Sequence, residues 1–223
     1  MWEREARQIL QGVTEAGAVG DLIIDSGRRL SLKAHRGELE ERKVSQTQTL
    51  GLRLIREGRV GIAYSEASDA RALEHLVQQA LTNATYAEMS PAERIPTRTR
   101  ELRTDDAMLC PPDNTDINRK IEWVLSLEAD LLARDRIQSV PYCGVTDSVT
   151  ERALYTTGGL SARKRARKVM AYAHALAAEG ERNAMGGDAQ AAREFDDLLL
   201  APLVEQAGDE ASQLLAGEPV PSG

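Results

Sequence analysis

Aromatic side chains are scarce in this sequence. They make up 4% of its 223 residues, and Phe195 is the one phenylalanine. A core has to be assembled from Leu, Ile, Val and Ala, and a surface that stacks bases or sugars on rings is poorly supplied. Cysteine is rarer still. Cys110 and Cys143 lie far apart with no second Cys or His at ligand spacing, which excludes a disulfide framework and a zinc-finger pattern. Two free thiols in a reducing compartment are expected. No run of about 18 apolar residues occurs, so no membrane-spanning helix is expected. The start, Met1 to Leu10, is charged and amphipathic without an apolar stretch, so no secretory leader is expected and the cytoplasm is the default location. Positive charge is in deficit: 28 Lys and Arg stand against 35 Asp and Glu, a formal charge of -7. Such a chain repels phosphate backbones, and direct nucleic-acid binding is not expected.

Catalytic signatures are also missing. The three histidines, His35, His75 and His174, have no second His at i+4, and no HExxH occurs. A catalytic zinc site needs two or three imidazoles held together. No GxSxG, phosphate-binding loop or GxGxxG is present. No catalytic residue, no metal ligand and no cofactor is therefore assigned within this chain. His35 and His75 are expected at the surface, and His174 in a cross-strand contact.

What is there is ordered periodicity. Ala6, Ile9, Leu10, Val13 and Ala16 fall at helical spacing over 3–16. Turn signals follow at Ser26-Gly27, Arg36-Gly37 and Glu57-Gly58. Between them Leu30, Leu32 and Ala34 alternate with polar residues, as do Leu50, Leu52 and Leu54, then Val60, Ile62 and Tyr64. Period two between turns predicts an antiparallel meander with one buried face. The polar stretch 38–49 reads as an exposed strand. Over 69–87, Leu73, Leu76, Val77, Ala80, Leu81 and Ala84 predict a helix capped by Ser68 or Asp69. Pro91, Pro96, Pro111 and Pro112, with Arg94, Arg98, Arg100 and Arg103, mark 91–114 as an exposed connector.

The second half opens with a helix over 115–134, capped by Thr115 or Asp116, with Ile117, Ile121, Val124, Leu125, Leu131 and Leu132 on its apolar side. Two strands fit 137–155, and Gly158-Gly159 is a turn. Residues 161–178 fit helix by propensity and strand by alternation around Tyr172, His174 and Leu176. Residues 179–190 read as a Gly-bearing loop and 191–216 as a helix that Pro202 kinks or restarts. The class is α+β, in two subdomains, each a mostly antiparallel sheet packed with helices: 1–90 and 115–223, joined by the connector.

Three charged or glycine-bearing clusters stand out. Glu38, Glu40 and Glu41 beside Arg42 and Lys43 read as a solvated strand edge. Arg163, Lys164, Arg165, Arg167 and Lys168 are a candidate basic interaction patch. If that run is a strand, alternate charges point to opposite faces, and one face needs a carboxylate partner. In the stretch 51–61, Gly58 suits a hairpin turn, while Gly51 and Gly61 suit a bulge or close backbone approach. With Arg53 these glycines are structural candidates that could also face a peptide.

In this order, the segments Asp21-Leu22-Ile23-Ile24 and Leu30-Ser31-Leu32-Lys33, the acidic 37–41, the glycine-bearing 51–61 and Leu76-Val77-Gln78-Gln79-Ala80 resemble the PmbA/TldD family, described as modulators of DNA gyrase and related to peptidases. The second half resembles the family more weakly, with Thr156-Thr157-Gly158-Gly159 where the family often has an Asn-Ser-x-Gly-like turn. The resemblance tips 161–178 toward strand. It implies the non-catalytic amino-terminal half of a subunit, with zinc expected only in a TldD-like carboxyl domain. It implies as partner a PmbA/TldD-type subunit in a homo- or heterodimer, and a peptide as substrate.

Overall fold

Apolar periodicity and turn chemistry set the elements in the computed structural model, which describes residues 2–97 and 105–217. Helix α1 spans Glu3–Glu15 and buries Ala6, Ile9 and Val13. Strands β1 (Val19–His35), β2 (Glu38–Arg56) and β3 (Arg59–Ser65) follow, then α2 (Ala70–Tyr86), the short α3 (Asp106–Leu109) and α4 (Ile117–Leu132). Strands β4 (Ile137–Thr156), β5 (Ser161–Glu179) and β6 (Arg182–Ala192) precede α5 (Leu200–Leu215). The strands hydrogen-bond in the order β3-β2-β1-β4-β5-β6, and both outer hairpins, β2–β3 and β5–β6, are antiparallel. The α+β class expected from the sequence is the class observed.

Two compact units divide the chain, interleaved in sequence because β1, β2, β4 and β5 run through both. The first takes the described residues within 1–28, 46–109 and 150–166. Its core joins Ile9 and Val13 of α1, Leu22 and Ile24 of β1, Leu50, Leu52 and Leu54 of β2, and Leu73, Leu76 and Ala80 of α2. Asp69 caps α2 by accepting from the amides of Arg71 and Ala72, both at 3.1 Å. The second unit takes the described residues within 29–45, 110–149 and 167–223. Its core packs Val124, Leu127 and Leu131 of α4 and Leu203, Ala207 and Ala211 of α5 with Val169, Ala171, Ala173, Ala175 and Ala177 of β5.

Several expectations fail for identifiable reasons. Ser26-Gly27 is no turn: β1 passes through it unbroken, since Gly adopts extended backbone as readily as a turn. The two strands expected over 137–155 are the single β4. Its mid-strand polar residues have ionic partners instead of turning: Asp147 meets Arg167 and Lys120, Glu151 meets Arg163, and Arg152 meets Asp25. Residues 179–190 are not a loop. Gly180 (φ +62°) turns the chain and β6 pairs with β5 from Glu179↔Arg182 to Val169↔Ala192. A Cβ on Gly186 would overlap the Ala211 backbone of α5, so this glycine serves helix-on-strand packing. After a single 3-10 turn at Phe195–Asp197, α-helix begins at Leu200, and Pro202 lies in its first turn, where amides lack intrahelical partners anyway.

The buried face of β3 is the opposite of the one expected. Gly61 and Ala63 face the core while Ile62 and Tyr64 are exposed. A Cβ on Gly61 would overlap the Ala80 carbonyl of α2, so that helix rests directly on the β3 backbone. The Arg36-Gly37, Glu57-Gly58 and Gly158-Gly159 turns are as expected, and of the two readings open for 161–178 the structure has strand. The connector is not uniformly exposed, since Ile95 is buried. Of its arginines, Arg98, Arg100 and Arg103 lie outside the described residues, as does the tail 218–223.

Candidate functional site

In the first unit the β2–β3 hairpin turns on Glu57 and Gly58, with φ of 53° and 74°. Two left-handed residues make the type I′ geometry that matches strand twist. The Gly58 carbonyl accepts from the Ser90 amide at 2.7 Å, Arg59 bridges Met89 in antiparallel fashion, and the Arg59 guanidinium donates to the Ala87 carbonyl. Arg53 forks onto Asp21, with Nε at 3.1 Å and Nη2 at 2.6 Å, while its Nη1 donates to Glu93 at 2.9 Å. The Asp21 hydrogen bond holds the guanidinium pKa above its ordinary value. Farther along, Thr156 Oγ1 donates to the Pro96 carbonyl at 3.2 Å. These bonds draw the segment 88–97 across the strands.

Under that segment lies a cleft of about 750 Å³. Val19, Ile55, Pro91 and Ile95 give it a mainly apolar lining, with hydroxyls from Thr14, Ser90 and Thr157 and the Glu93 carboxylate at its wall. Such a lining buries apolar side chains and orients them with a few polar groups. Gly58 lines the cleft, and Arg53 acts on it through Glu93. Gly61 is committed to α2. A Cβ on Gly51 would come no nearer than 3.9 Å to the Ile23 carbonyl, so its surroundings impose no close approach.

The basic run alternates along β5. Arg163 donates from Nη2 to Glu151 at 2.9 Å, and Lys164, Arg165 and Lys168 are exposed. Arg167 is buried: 2% of its side chain reaches solvent. It forks onto Asp147 at 2.9 and 2.5 Å, and its Nη2 reaches Asp113 at 2.9 Å. Lys120 of α4, equally buried, donates to Asp147 at 2.6 Å and Asp113 at 2.5 Å, and stands 5.6 Å from the Phe195 ring centroid. Two cations and two carboxylates thus neutralise one another inside the second unit. Burial works to raise the Asp113 pKa, but hydrogen bonds from Lys120 and Arg167 outweigh it and lower the pKa to about 2. For Arg167 burial opposes the charge and the two carboxylates prevail, so its pKa is raised.

Sequence reasoning assigned no role to Asp113, Lys120, Glu128 and Asp147. Glu128 is buried on α4 and accepts from the turn amides of Arg36 at 2.6 Å and Gly37 at 2.9 Å, which clamps the β1–β2 hairpin. A signal was available: Lys120 and Glu128 share the helical stripe of Val124, Leu127 and Leu131, so charges sat on a core-facing line. His174 packs edge-on against Tyr142, 6.3 Å between ring centroids, and His75 is exposed. Among the described residues no three His, Cys, Asp or Glu side chains stand close enough together to hold a metal ion.

Residues 20–84 match the model for PmbA/TldA metallopeptidase domain 1, and residues 110–215 match that for the PmbA/TldA metallopeptidase central domain. The chain belongs to the PmbA/TldD family. Solved PmbA/TldD-like structures share the fold. A candidate gyrase modulator from Thermotoga maritima is 18% identical with a TM-score of 0.82, over 100% of this chain and 50% of that one. A candidate gyrase modulator from Bacteroides thetaiotaomicron is 17% identical with a TM-score of 0.84, over 99% of this chain and 52% of that one. TldE from Thermococcus kodakarensis is 14% identical with a TM-score of 0.73, over 94% and 46%. At these identities the likeness is one of fold. No curated protein sequence matches the chain. This PmbA/TldD chain spans about half the length of the solved structures it resembles. Among its described residues, no helix is long and apolar enough to cross a membrane.

Proposed function

We propose that the chain is the non-catalytic amino-terminal region of a PmbA/TldD-like peptidase subunit, shaping a peptide channel or a subunit interface in the cytoplasm. The observation that carries this reading is the match, in order, to the family's domain 1 and central domain across residues 20–84 and 110–215. The 750 Å³ cleft supports a peptide-handling role, because its apolar lining suits side chains of an extended substrate. The ionic quartet and the Glu128 clamp rigidify the second unit, as a surface that positions a substrate or a partner needs. On this reading zinc belongs to a TldD-like carboxyl domain of a partner, and the working assembly is a homo- or heterodimer. The test is a peptide-cleavage assay with a full-length TldD-type subunit, with and without this chain. The reading expects the chain to change the rate or the cleavage pattern. Unchanged cleavage at saturating chain would overturn it.

A second reading, a stand-alone protein-interaction module, is favoured by one feature. Lys164, Arg165 and Lys168 are exposed and form no ion pair among the described residues. Reversing these three charges should abolish capture of an acidic partner protein. Capture that survives the reversal contradicts this alternative.

A further inference from the structure

Strand β3 is the first strand in the sheet order, so one of its edges has no strand partner. Its closing pair with β2 is Arg56↔Arg59 across a type I′ turn, a pair that exchanges backbone hydrogen bonds. Alternation then turns the amides and carbonyls of the even-numbered residues outward, away from β2. Two observed bonds agree: the Gly58 carbonyl accepts from Ser90 N, and the Ile62 carbonyl accepts from Asn83 Nδ2 at 2.8 Å. The chain already lays one stretch of backbone on this edge, through the antiparallel bridge of Met89 with Arg59. Beyond that bridge the edge continues. Among the described residues no hydrogen bond reaches the Ile62 and Tyr64 amides or the Tyr64 carbonyl from outside the sheet. The flanking side chains are apolar and open, with Ile62 61% and Tyr64 74% exposed. At residues 62–65 the strand carries no proline and no charged side chain, two of the usual protections of an edge.

We infer that the outer edge of β3 at residues 62–65 is a docking site for an extended peptide, which adds as a strand in line with the Met89 bridge. Main-chain hydrogen bonds supply the affinity, and side chains on one face of the peptide meet Ile62 and Tyr64. Its other face meets the end of α2, where Asn83 stands, so small or hydroxylated residues fit there. A second copy of the chain is the poorer occupant. Four residues present about 14 Å of edge, and a contact confined to so short a stretch buries much less than the roughly 800 Å² per partner of a stable dimer. Asn83 is the gatekeeper, because its amide holds the carbonyl that an incoming strand has to use.

The inference rests on the peptide-handling reading for the origin of its ligand, while its test needs only this chain. The probe is a fluorescein-labelled, Lys-flanked (Val-Thr)4 peptide. Its control carries proline at alternate positions and cannot pair. Saturable binding of the first and none of the second is expected by fluorescence anisotropy. Tyr64→Pro removes an outward amide and leaves the β2 ladder intact, so it should weaken binding about tenfold or more. Asn83→Ala should tighten it roughly fivefold. Hydrogen exchange of the unaltered chain provides a reading independent of how the variants fold: peptide should slow exchange at the Ile62 and Tyr64 amides. No saturable binding, equal binding by Tyr64→Pro, or unchanged exchange at both amides overturns the inference. So does concentration-dependent self-association that Tyr64→Pro abolishes, which assigns the edge to a second copy. Edge binding without any effect on a TldD-type subunit sinks the proposed function and leaves the site. The reverse result sinks the site alone.

Discussion

Asp147 is the keystone of the buried quartet, and Asp147→Ala is the substitution whose cost is best defined. Asp147 accepts from Lys120 at 2.6 Å and from two nitrogens of Arg167 at 2.9 and 2.5 Å. Both cations expose 2% of their side chains, and Asp147 itself 8%. Its loss leaves two buried cations facing one carboxylate, Asp113, which is 37% exposed. Breaking a buried pair from one side costs about 3–5 kcal/mol, because the orphaned charge stays desolvated. For a chain of this length each kcal/mol is worth roughly 2–4 °C, so the melting temperature should fall by roughly 6–20 °C. Thermal melts followed by circular dichroism read this directly. Lys120→Met on the same background restores the charge balance, so the double variant should recover part of the loss. That recovery is the signature of coupling rather than of a lost contact. A loss under about 1 kcal/mol, or a double variant equal to the sum of the singles, would refute the reasoning.

Asp113 gives the quartet a pH dependence. Its folded pKa of about 2 lies below the unfolded value of 3.8, so its stabilisation is present above about pH 4 and is lost as pH falls toward 2. Urea titrations between pH 5 and pH 2 should show the unaltered chain losing stability more steeply than Asp113→Asn, and equal slopes would contradict this. Gly61→Ala presses a methyl group into the Ala80 carbonyl and should destabilise by about 1–3 kcal/mol. Gly51→Ala, where a Cβ meets nothing closer than 3.9 Å, should cost clearly less in the same denaturant assay. Burial pushes the Cys143 thiol up to about 12, whereas Cys110 is half-exposed. A disulfide reagent at pH 8 should therefore titrate one thiol in the native chain and two after denaturation.

Helix α2 and the Arg36-Gly37 and Glu57-Gly58 turns were legible in the sequence because each is specified locally, by a 3.6-residue period, an Asp cap or a glycine at positive φ. The merging of two expected strands into β4 was not. Asp147, Glu151 and Arg152 look like turn residues until their partners, from 25 to 167 in the sequence, come alongside. The inverted face of β3 has a similar cause: alternation of Val60, Ile62 and Tyr64 with Gly61 and Ala63 fixes two faces but not which one α2 covers. Of the candidate residues, Gly58 and Arg53 converge on the cleft through the 88–97 segment, a tertiary arrangement that no local pattern announces. The alternation rule did anticipate that charges of the 163–168 run would need carboxylates, and Glu151, Asp147 and Asp113 are those carboxylates. Lys120 and Glu128 show the limit of hydropathy, since a charged residue enters the core where hydrogen-bonded partners offset its desolvation.

Sedimentation velocity of this chain mixed with a full-length TldD-type subunit asks most directly whether it is the assembly-forming, metal-free portion of a peptidase. A single faster boundary at a fixed stoichiometry is the outcome the account predicts. Two boundaries that sediment independently at every ratio would contradict it.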